Sequence, residues 1–455
     1  MTSFVERLEG SLGPTSVCVE PALLSDYSHD LGPVSGPGKP IAVVFAESVE
    51  DVQITVRACA TAGVPVVPRG AGTGLSGGAH ADKGSIVLSL ERMNRIIAIR
   101  PDDEIAIVEP GVVNADLNDA VAHYGLMYAP DPASYGISTI GGNIGTNAGG
   151  LRCAKYGVTR DAVLGLDVVL ADGTLIRTGR NTFKGVTGYD VTSLLVGSEG
   201  TLGIVVGATV RLRYLPVDVR TVAAMYPDFA SAAAGVLAVG RIRVQPAIME
   251  LLDAGSLADV DRLNGSNLSA MGQALLLIQT DGFGAEREAE AIGKALADTG
   301  AALFPRDAEV SEHLVCLRRN SRGVGQDNEC RVGEDVAVPR SRLVDYVREL
   351  ERIAADHRVD VKVVAHAGDG NLHPEFWIEP KADERAAAVR RLDRALDESI
   401  ETALSMGGTI TGEHGIGQFK RRWLPLEQSA ELRELQFRIK DAFDPRGILN
   451  PGKAI

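Results

Sequence analysis

The sequence predicts an α+β protein in two domains, and three observations predict it. Short apolar runs of strand length alternate with helically spaced segments through the first half. Glycine, 51 of 455 residues, gathers there in two runs. After Pro216 the glycine density falls and ordinary amphipathic segments take over. Average glycine usage is ~7%, so the clustering speaks to backbone geometry. A chain of this length also exceeds the usual size of a single hydrophobic core.

Residues 42–46 and 64–68 are expected as strands, and 52–62 between them as a helix, because Val52, Val56 and Cys59 recur at helical spacing. The second strand runs directly into PRGAGTGLSGGA at 68–79, where glycine punctuation leaves no regular element. Strands follow at 85–90, 105–108, 166–170 and 201–212, with STIGGNIGTNAGG at 138–150 as a second glycine-rich loop. Asp172-Gly173 supplies the positive-φ positions of a tight turn joining 166–170 to 174–178.

Beyond Pro216, residues 229–239 and 284–299 are amphipathic helices and 361–365 a strand. Residues 383–406 form a long helix with Val389, Leu392, Leu396, Ile400 and Ala403 facing inward. Asp383 suits its cap and Gly407-Gly408 its end. A last helix, 427–443, stops at Asp444-Pro445.

The formal net charge of −14, without a long basic run, weighs against nucleic acid or an anionic membrane as partner. Five cysteines with no CxxC suggest neither a disulfide framework nor an iron-sulfur site. The opening MTSFVERLEG lacks a signal-peptide pattern and no segment reaches the ~20 apolar residues of a membrane span. A cytoplasmic location is the expectation, with peripheral association at the inner face of the membrane left open.

Within the first loop, Gly72-Thr73-Gly74-Leu75-Ser76-Gly77 satisfies GxGxxG after a strand, the pattern of a Rossmann dinucleotide site. That site needs a helix opening on the last glycine, and residues 80–84 are too short and polar to provide one. The alternative is a nest of exposed amides, in which glycine lets N–H groups converge on phosphate oxygens. Thr73 and Ser76 add hydroxyls, and the second run repeats the chemistry with Thr139, Asn143, Thr146 and Asn147 among Gly141, Gly142, Gly145, Gly149 and Gly150. Two cradles suit a pyrophosphate; two tight turns are the plainer reading.

PRGAGTGLSGGA, STIGGNIGTNAGG, KYGVTRDAVLGLDVVLADG and VGSEGTLGIV together resemble the FAD-binding domain of the vanillyl-alcohol oxidase superfamily, closest to its glycolate oxidase and D-lactate dehydrogenase branch. The resemblance covers nearly the whole chain. It implies a two-subdomain FAD-binding domain at 1–215, an α+β substrate (cap) domain at 216–420 and a return to the FAD domain at 421–455. It extends the flavin contacts to Pro68, Arg69, Gly70, Ala71, Pro132, Glu199, Gly203, Ile204 and, in the closing NPGK, Asn450. Some relatives attach flavin through a histidine in the first loop; Arg69-Gly70-Ala71-Gly72-Thr73 has none, so non-covalent FAD is implied. His80 is expected at the surface.

Three of eight histidines fall in HAGDGNLH, from His366 to His373, and GEHG, 412–415. A strand ending at a sheet edge would deliver His366, and the Gly368-Asp369-Gly370 turn would return His373 beside it. With Glu413 these make a three-ligand site for a divalent metal, or equally two imidazoles bonding their own turn. The resemblance implies that His366, His373 and Glu413 bind the metal, zinc or else manganese or iron, and that His414 is the base in oxidation of a small 2-hydroxy acid. In LRRNSRGV, the arginines Arg318, Arg319 and Arg322 offer a carboxylate clamp. Aligning Cys316 with the family's aromatic position selects Arg319, and Lys420 matches a recurrent family lysine that helps hold anions.

Glu375, two residues after His373, departs from the family. It would repel a second anionic group, bind a cationic one or extend the metal shell. Two other functions compete: a flavin-binding electron-transfer subunit of a larger dehydrogenase, and a non-redox flavoenzyme or metal hydrolase. The intact histidines and Glu413 favour catalysis. Oxygen, quinone, electron-transfer flavoprotein, cytochrome and iron-sulfur acceptors stay open, as does a homodimer.

Overall fold

The computed structural model describes residues 3–33, 36, 38–306, 308–319 and 329–455, without the side chains of residues 308, 309, 311, 319 and 382. The chain forms two compact units: Met1–Gly150 with Gly157–Leu215 and Glu413–Ile455, and Leu151–Tyr156 with Pro216–Gly412. The six residues 151–156 are not foreshadowed by composition. They belong to the second unit because Tyr156 Oη donates to Asp281 Oδ2 at 2.6 Å and Lys155 pairs with the same carboxylate. The return to the first unit comes at Glu413, ahead of the expected residue 421.

In the first unit, β1 (Val17–Cys18), β2 (Ala42–Phe45), β3 (Val66–Arg69) and β4 (Ile86–Ser89) form a sheet in the order β1-β2-β4-β3, with β2, β4 and β3 parallel. The crossover from β2 to β3 is α1 (Val49–Ala62), started by a Ser48–Asp51 capping box and ended by Gly63 in the left-handed region. Val52, Val56 and Cys59 bury its inner face against Val44, Val66, Ile86 and Leu88. Each such apolar side chain stabilises by ~1.5–3 kcal/mol. No helix stands between β3 and β4, so the embedded GxGxxG lacks the context of a Rossmann fingerprint.

A second, antiparallel sheet holds β5 (Ile96–Arg100), β6 (Ile105–Val108), β7 (Val163–Val169), β8 (Leu175–Gly179) and β9 (Ile204–Arg211) in the order β5-β6-β9-β7-β8. The second glycine-rich run is not a plain loop. Residues Ile140–Thr146 form α2, because Thr139 caps it by accepting from Gly142 N at 3.2 Å while Ile140 and Ile144 are buried. His80 is not at the surface either: it is 1% exposed, with Nε2 2.9 Å from Asp30 Oδ1.

Among the described residues, the second unit is built on one eight-stranded sheet. It contains β10 (Val219–Tyr226), β11 (Ile248–Asp253), β12 (Ala274–Asp281), β13 (Ala302–Leu303), β14 (Cys330–Gly333), β15 (Asp360–His366) and β16 (Asn371–Ile378). Their order is β13-β10-β12-β11-β15-β16-β14, with Val336–Ala337 also paired to β16. Successive side chains alternate between faces. Leu275 and Leu277 join Leu257, Val260, Leu314 and Leu317 of α4 (Ala254–Asn264) and α6 (Ala308–Arg319) in one core. Leu276 points the other way, toward α3 (Phe229–Arg241) at Gly235, beside which α5 (Ala285–Ala297) packs. His366 therefore stands inside the sheet, between β11 and β16, not at an edge.

The long helix α7 (Arg385–Ser405) begins later than expected. Asp383 lies in a short turn, Ala382–Glu384, and Glu384 occupies the cap position with no side-chain bond. Val389 is 44% exposed and Ala388 takes the inward place. The last helix, α8 (Ala430–Phe443), opens at Ser429, which accepts from Leu432 N at 3.2 Å. Asp444 ends it and takes the N–H groups of Ile448 and Leu449.

Candidate active site

The two glycine-rich runs meet inside the first unit. A Cβ on Gly70 would lie 2.3 Å from Thr139 Oγ1, a separation only glycine permits. The start of α2 therefore faces the loop that leaves β3, its first amides held by Val112 O, Pro110 O and Thr139. Asn450 Nδ2 donates to Gly78 O at 2.9 Å and to Glu199 O at 2.6 Å, tying the chain's closing segment to the same loop.

Several expected cofactor groups are committed elsewhere. Arg69 donates to His29 O at 2.7 Å and lies over the Tyr27 ring, 5.1 Å from its centroid. Ser76 Oγ, expected as a phosphate donor, donates instead to Gly415 O at 3.0 Å. Asn147 Oδ1 accepts from Arg160 N, Gly145 O from Glu199 N, and Thr146 Oγ1 donates to Gly142 O. Gly203 packs on Val168, and Ile204 begins β9. Gly150 lies against Asp131, next to Pro132. Ala71, Thr73, Gly74 and Gly77 stay in the loop itself, whose back is held by Asp30: its carboxylate accepts from Ala79 N at 3.1 Å and Gly32 N at 2.8 Å. Burial alone would raise the Asp30 carboxyl, but His80 and those N–H groups more than offset it and hold it below the ordinary range.

The histidine site of the second unit is built on one face of its sheet. Register places Glu250 beside His366, Val364 beside His373 and Lys362 beside Glu375. The His366 and His373 ring centroids are 5.1 Å apart. Glu250, wholly buried, holds His366 Nδ1 at 2.7 Å and accepts from Arg318 Nε at 2.8 Å. A carboxylate there puts the imidazole proton on Nδ1 and leaves the lone pair on Nε2, as in histidines that bind a metal through one nitrogen and a carboxylate through the other.

Glu250 was not anticipated, since it lies in an ordinary-looking strand, IMELLD. A glutamate inside an otherwise apolar strand was the available signal. Arg318 serves this carboxylate, the side chain of Arg319 and the whole of Arg322 lie outside the described residues, and Glu375 is taken by Arg331 at 2.6 Å and Lys362 at 3.1 Å. Glu375 is therefore a neutralised member of an ion network.

Asp335, fully buried, accepts from Asn371 Nδ2 at 2.7 Å, Thr411 Oγ1 at 2.7 Å and Gly412 N at 3.0 Å, and its Oδ1 is 4.0 Å from His373 Nδ1. Glu413 and His414 follow Gly412 directly. In the first unit, Ile416 N and Gly417 N both donate to the Glu199 carboxylate at 2.8 Å. Burial pushes the Glu199 carboxyl up to about 7 against those two N–H groups. Lys420 is buried in the same unit, 2% exposed.

A family model described as FAD linked oxidases, C-terminal domain, matches residues 215–454, and one described as FAD binding domain matches residues 40–179. The chain belongs to the FAD-linked oxidases. Among relatives, the glycolate oxidase subunit GlcD of Bacillus subtilis is 40% identical, over 94% of this chain and 91% of its own. The D-2-hydroxyglutarate dehydrogenase of Stutzerimonas stutzeri is 33% identical, over 99% and 98%. The D-lactate dehydrogenase of Archaeoglobus fulgidus is 35% identical, over 91% of each.

The solved structure of p-cresol methylhydroxylase superposes with a TM-score of 0.79 at 20% identity, over 99% of this chain and 96% of that one, which fixes the fold as vanillyl-alcohol oxidase type. As an FAD-linked oxidase the chain is a flavoenzyme, and its first unit fits the cofactor. Ser138 Oγ, Asn143 Nδ2 and Asn450 Oδ1 are buried with no hydrogen-bond partner among the described residues, in and beside the two joined runs. No helix among the described residues is long and apolar enough to cross a membrane.

Proposed function

We propose that this FAD-linked oxidase oxidises a small 2-hydroxy acid to the 2-oxo acid, assisted by a divalent metal held by His366, His373 and Glu413. The observation that carries the metal reading is the buried Glu250 on His366 Nδ1, with His373 on the same sheet face. The names of the relatives, glycolate oxidase, D-lactate and D-2-hydroxyglutarate dehydrogenase, support the substrate class. Two imidazoles and a carboxylate suit zinc, manganese or iron.

Bound FAD supplies the two-electron acceptor. A bound divalent ion supplies Lewis-acid charge that lowers the cost of removing the α-hydroxyl proton. His414, next in sequence to Glu413, accepts that proton at its imidazole. Glu250 fixes the tautomer of His366, and Asp335 anchors the Thr411–Gly412 segment that leads into Glu413. Arg319 is assigned to the substrate carboxylate by its place in LRRNSR, and the loop 68–79 with Thr139, Gly142 and Asn143 to the flavin phosphates.

Anaerobic mixing of the purified flavoprotein with D- and L-2-hydroxy acids tests this. Bleaching of the flavin band by one of them, lost with chelator and restored by added metal, is expected. An unbleached flavin across the whole panel sinks the proposal, and bleaching indifferent to chelator removes the metal from it.

A further inference from the structure

The loop that carries Glu413 and His414 is held at both ends by buried carboxylates. At the near end, within the second unit, the Asp335 carboxylate takes Thr411 Oγ1 at 2.7 Å and Gly412 N at 3.0 Å, while Asn371 Nδ2 at 2.7 Å holds the carboxylate itself. The fit leaves no slack: a Cβ on Gly412 would lie 2.0 Å from Asn371 Nδ2 and 2.9 Å from Asp335 Oδ1. At the far end, within the first unit, the Glu199 carboxylate takes Ile416 N and Gly417 N, each at 2.8 Å. Ser76 adds a second hold there, its hydroxyl on Gly415 O at 3.0 Å and its carbonyl on Gln418 N at 2.9 Å.

Only Glu413, His414 and Gly415 lie between the two anchored pairs. Each anchor restricts the backbone beside it within its own unit, and functional side chains need their geometry held within ~0.5 Å. Charge-assisted bonds from a carboxylate to N–H and O–H donors are about twice as strong as neutral ones. Both anchors are sequestered from water, where such bonds are not exchanged for solvent.

We propose that Asp335 and Glu199 are positioning residues, each fixing one end of the loop so that Glu413 and His414 stand where a ligand and a base must stand. The inference rests on the assignment of Glu413 and His414 made above. Neither carboxylate needs to touch substrate, and in this reading the carboxylate of Glu199, expected from the resemblance among the flavin contacts, serves the loop instead.

The test compares Asp335→Asn, Glu199→Gln and Thr411→Val with the unaltered holoenzyme. Metal binding is read first, by competition between oxidised flavoprotein and a chromophoric chelator for Zn²⁺ without substrate. Outer-shell substitutions typically weaken metal binding ~10–100-fold. That range is expected for Asp335→Asn and a smaller loss in the same direction for Thr411→Val, which removes one donor and keeps the carboxylate. Glu199→Gln is expected to lower kcat at least tenfold with KM within about twofold, because the base is displaced while the substrate contacts stay.

Flavin absorbance is expected to be retained in all three. Thr411→Val covers the case in which Asp335→Asn does not fold. Wild-type zinc affinity and wild-type kcat in every variant that folds would overturn the proposal. An unaltered protein that neither binds Zn²⁺ nor bleaches would sink the proposed function instead, so the two failures are distinguishable.

Discussion

The two units build their sites from different materials. The first relies on backbone: glycine at Gly70 brings the loop after β3 against Thr139 and the start of α2. The second relies on side chains from separated strands, each held by another: His366 by Glu250, Glu250 by Arg318, Glu375 by Arg331 and Lys362. A backbone cradle tolerates changes of side chain and fails when a Cβ is added. A side-chain constellation fails when one support is removed. The difference predicts opposite mutational sensitivities.

The largest effect is expected in the constellation. His414→Ala removes the assigned base, and general-base catalysis contributes ~10²–10⁴-fold. Turnover of the 2-hydroxy acid should fall by that factor while the flavin spectrum stays unchanged. Turnover at the wild-type rate would take His414 out of the mechanism. Glu250→Gln comes next. It keeps the shape but removes the charge shared by His366 and Arg318, so metal affinity should fall ~10–100-fold. Breaking a buried ion pair costs about 3–5 kcal/mol, so the variant should also unfold in less denaturant. A variant matching the wild type in both measurements would reduce Glu250 to packing.

The same contrast explains what was legible in the sequence. Glycine punctuation is local, so the runs at 68–79 and 138–150, the failed GxGxxG context and the composition change at Pro216 could all be read from consecutive residues. Local pattern did not reveal that Ile140–Thr146 would close into a helix, because burial of Ile140 and Ile144 and the Thr139 cap outweigh the low helix propensity of three glycines. His80 looked exposed because its partner, Asp30, is 50 positions earlier, and Glu250 is 116 positions from His366. Glu375 looked like a substrate-facing charge because its neutralisers, Arg331 and Lys362, lie on neighbouring strands, and strand pairing is not printed in either strand alone. Arg318 and Arg319 could not be told apart by spacing; Arg318 reaches Glu250.

A pH experiment sharpens the comparison, because Glu199 is a side chain serving backbone. Burial raises its carboxyl from an ordinary 4.5 to about 7. With a folded value above the unfolded one, its contribution is fully present below pH 4.5 and is lost as pH rises through about 7. At ~1.4 kcal/mol per unit, the loss across that window is about 3 kcal/mol. Glu199→Gln does not titrate, so the stability of the wild type relative to this variant should decline between those values and level off above them. Parallel pH profiles of denaturant unfolding would show that the carboxyl is not raised.

The smallest effect separates backbone from side chain most directly. Gly70→Ala would place a Cβ 2.3 Å from Thr139 Oγ1, so either the loop or the cap of α2 must move. Overpacking of this kind costs ~1–3 kcal/mol. Because the displaced groups are the joined cradle itself, the cost should appear as weaker flavin retention, measured by fluorescence during dilution, with Zn²⁺ binding unchanged. Adding Thr139→Ala to Gly70→Ala removes the clashing hydroxyl at the loss of a cap worth ~1 kcal/mol. If the close approach is what matters, the double variant should retain flavin better than Gly70→Ala alone, although Thr139→Ala by itself retains it less well than the wild type. Additive losses in the double variant would mean that the two runs act independently, and the joined cradle would have to be given up.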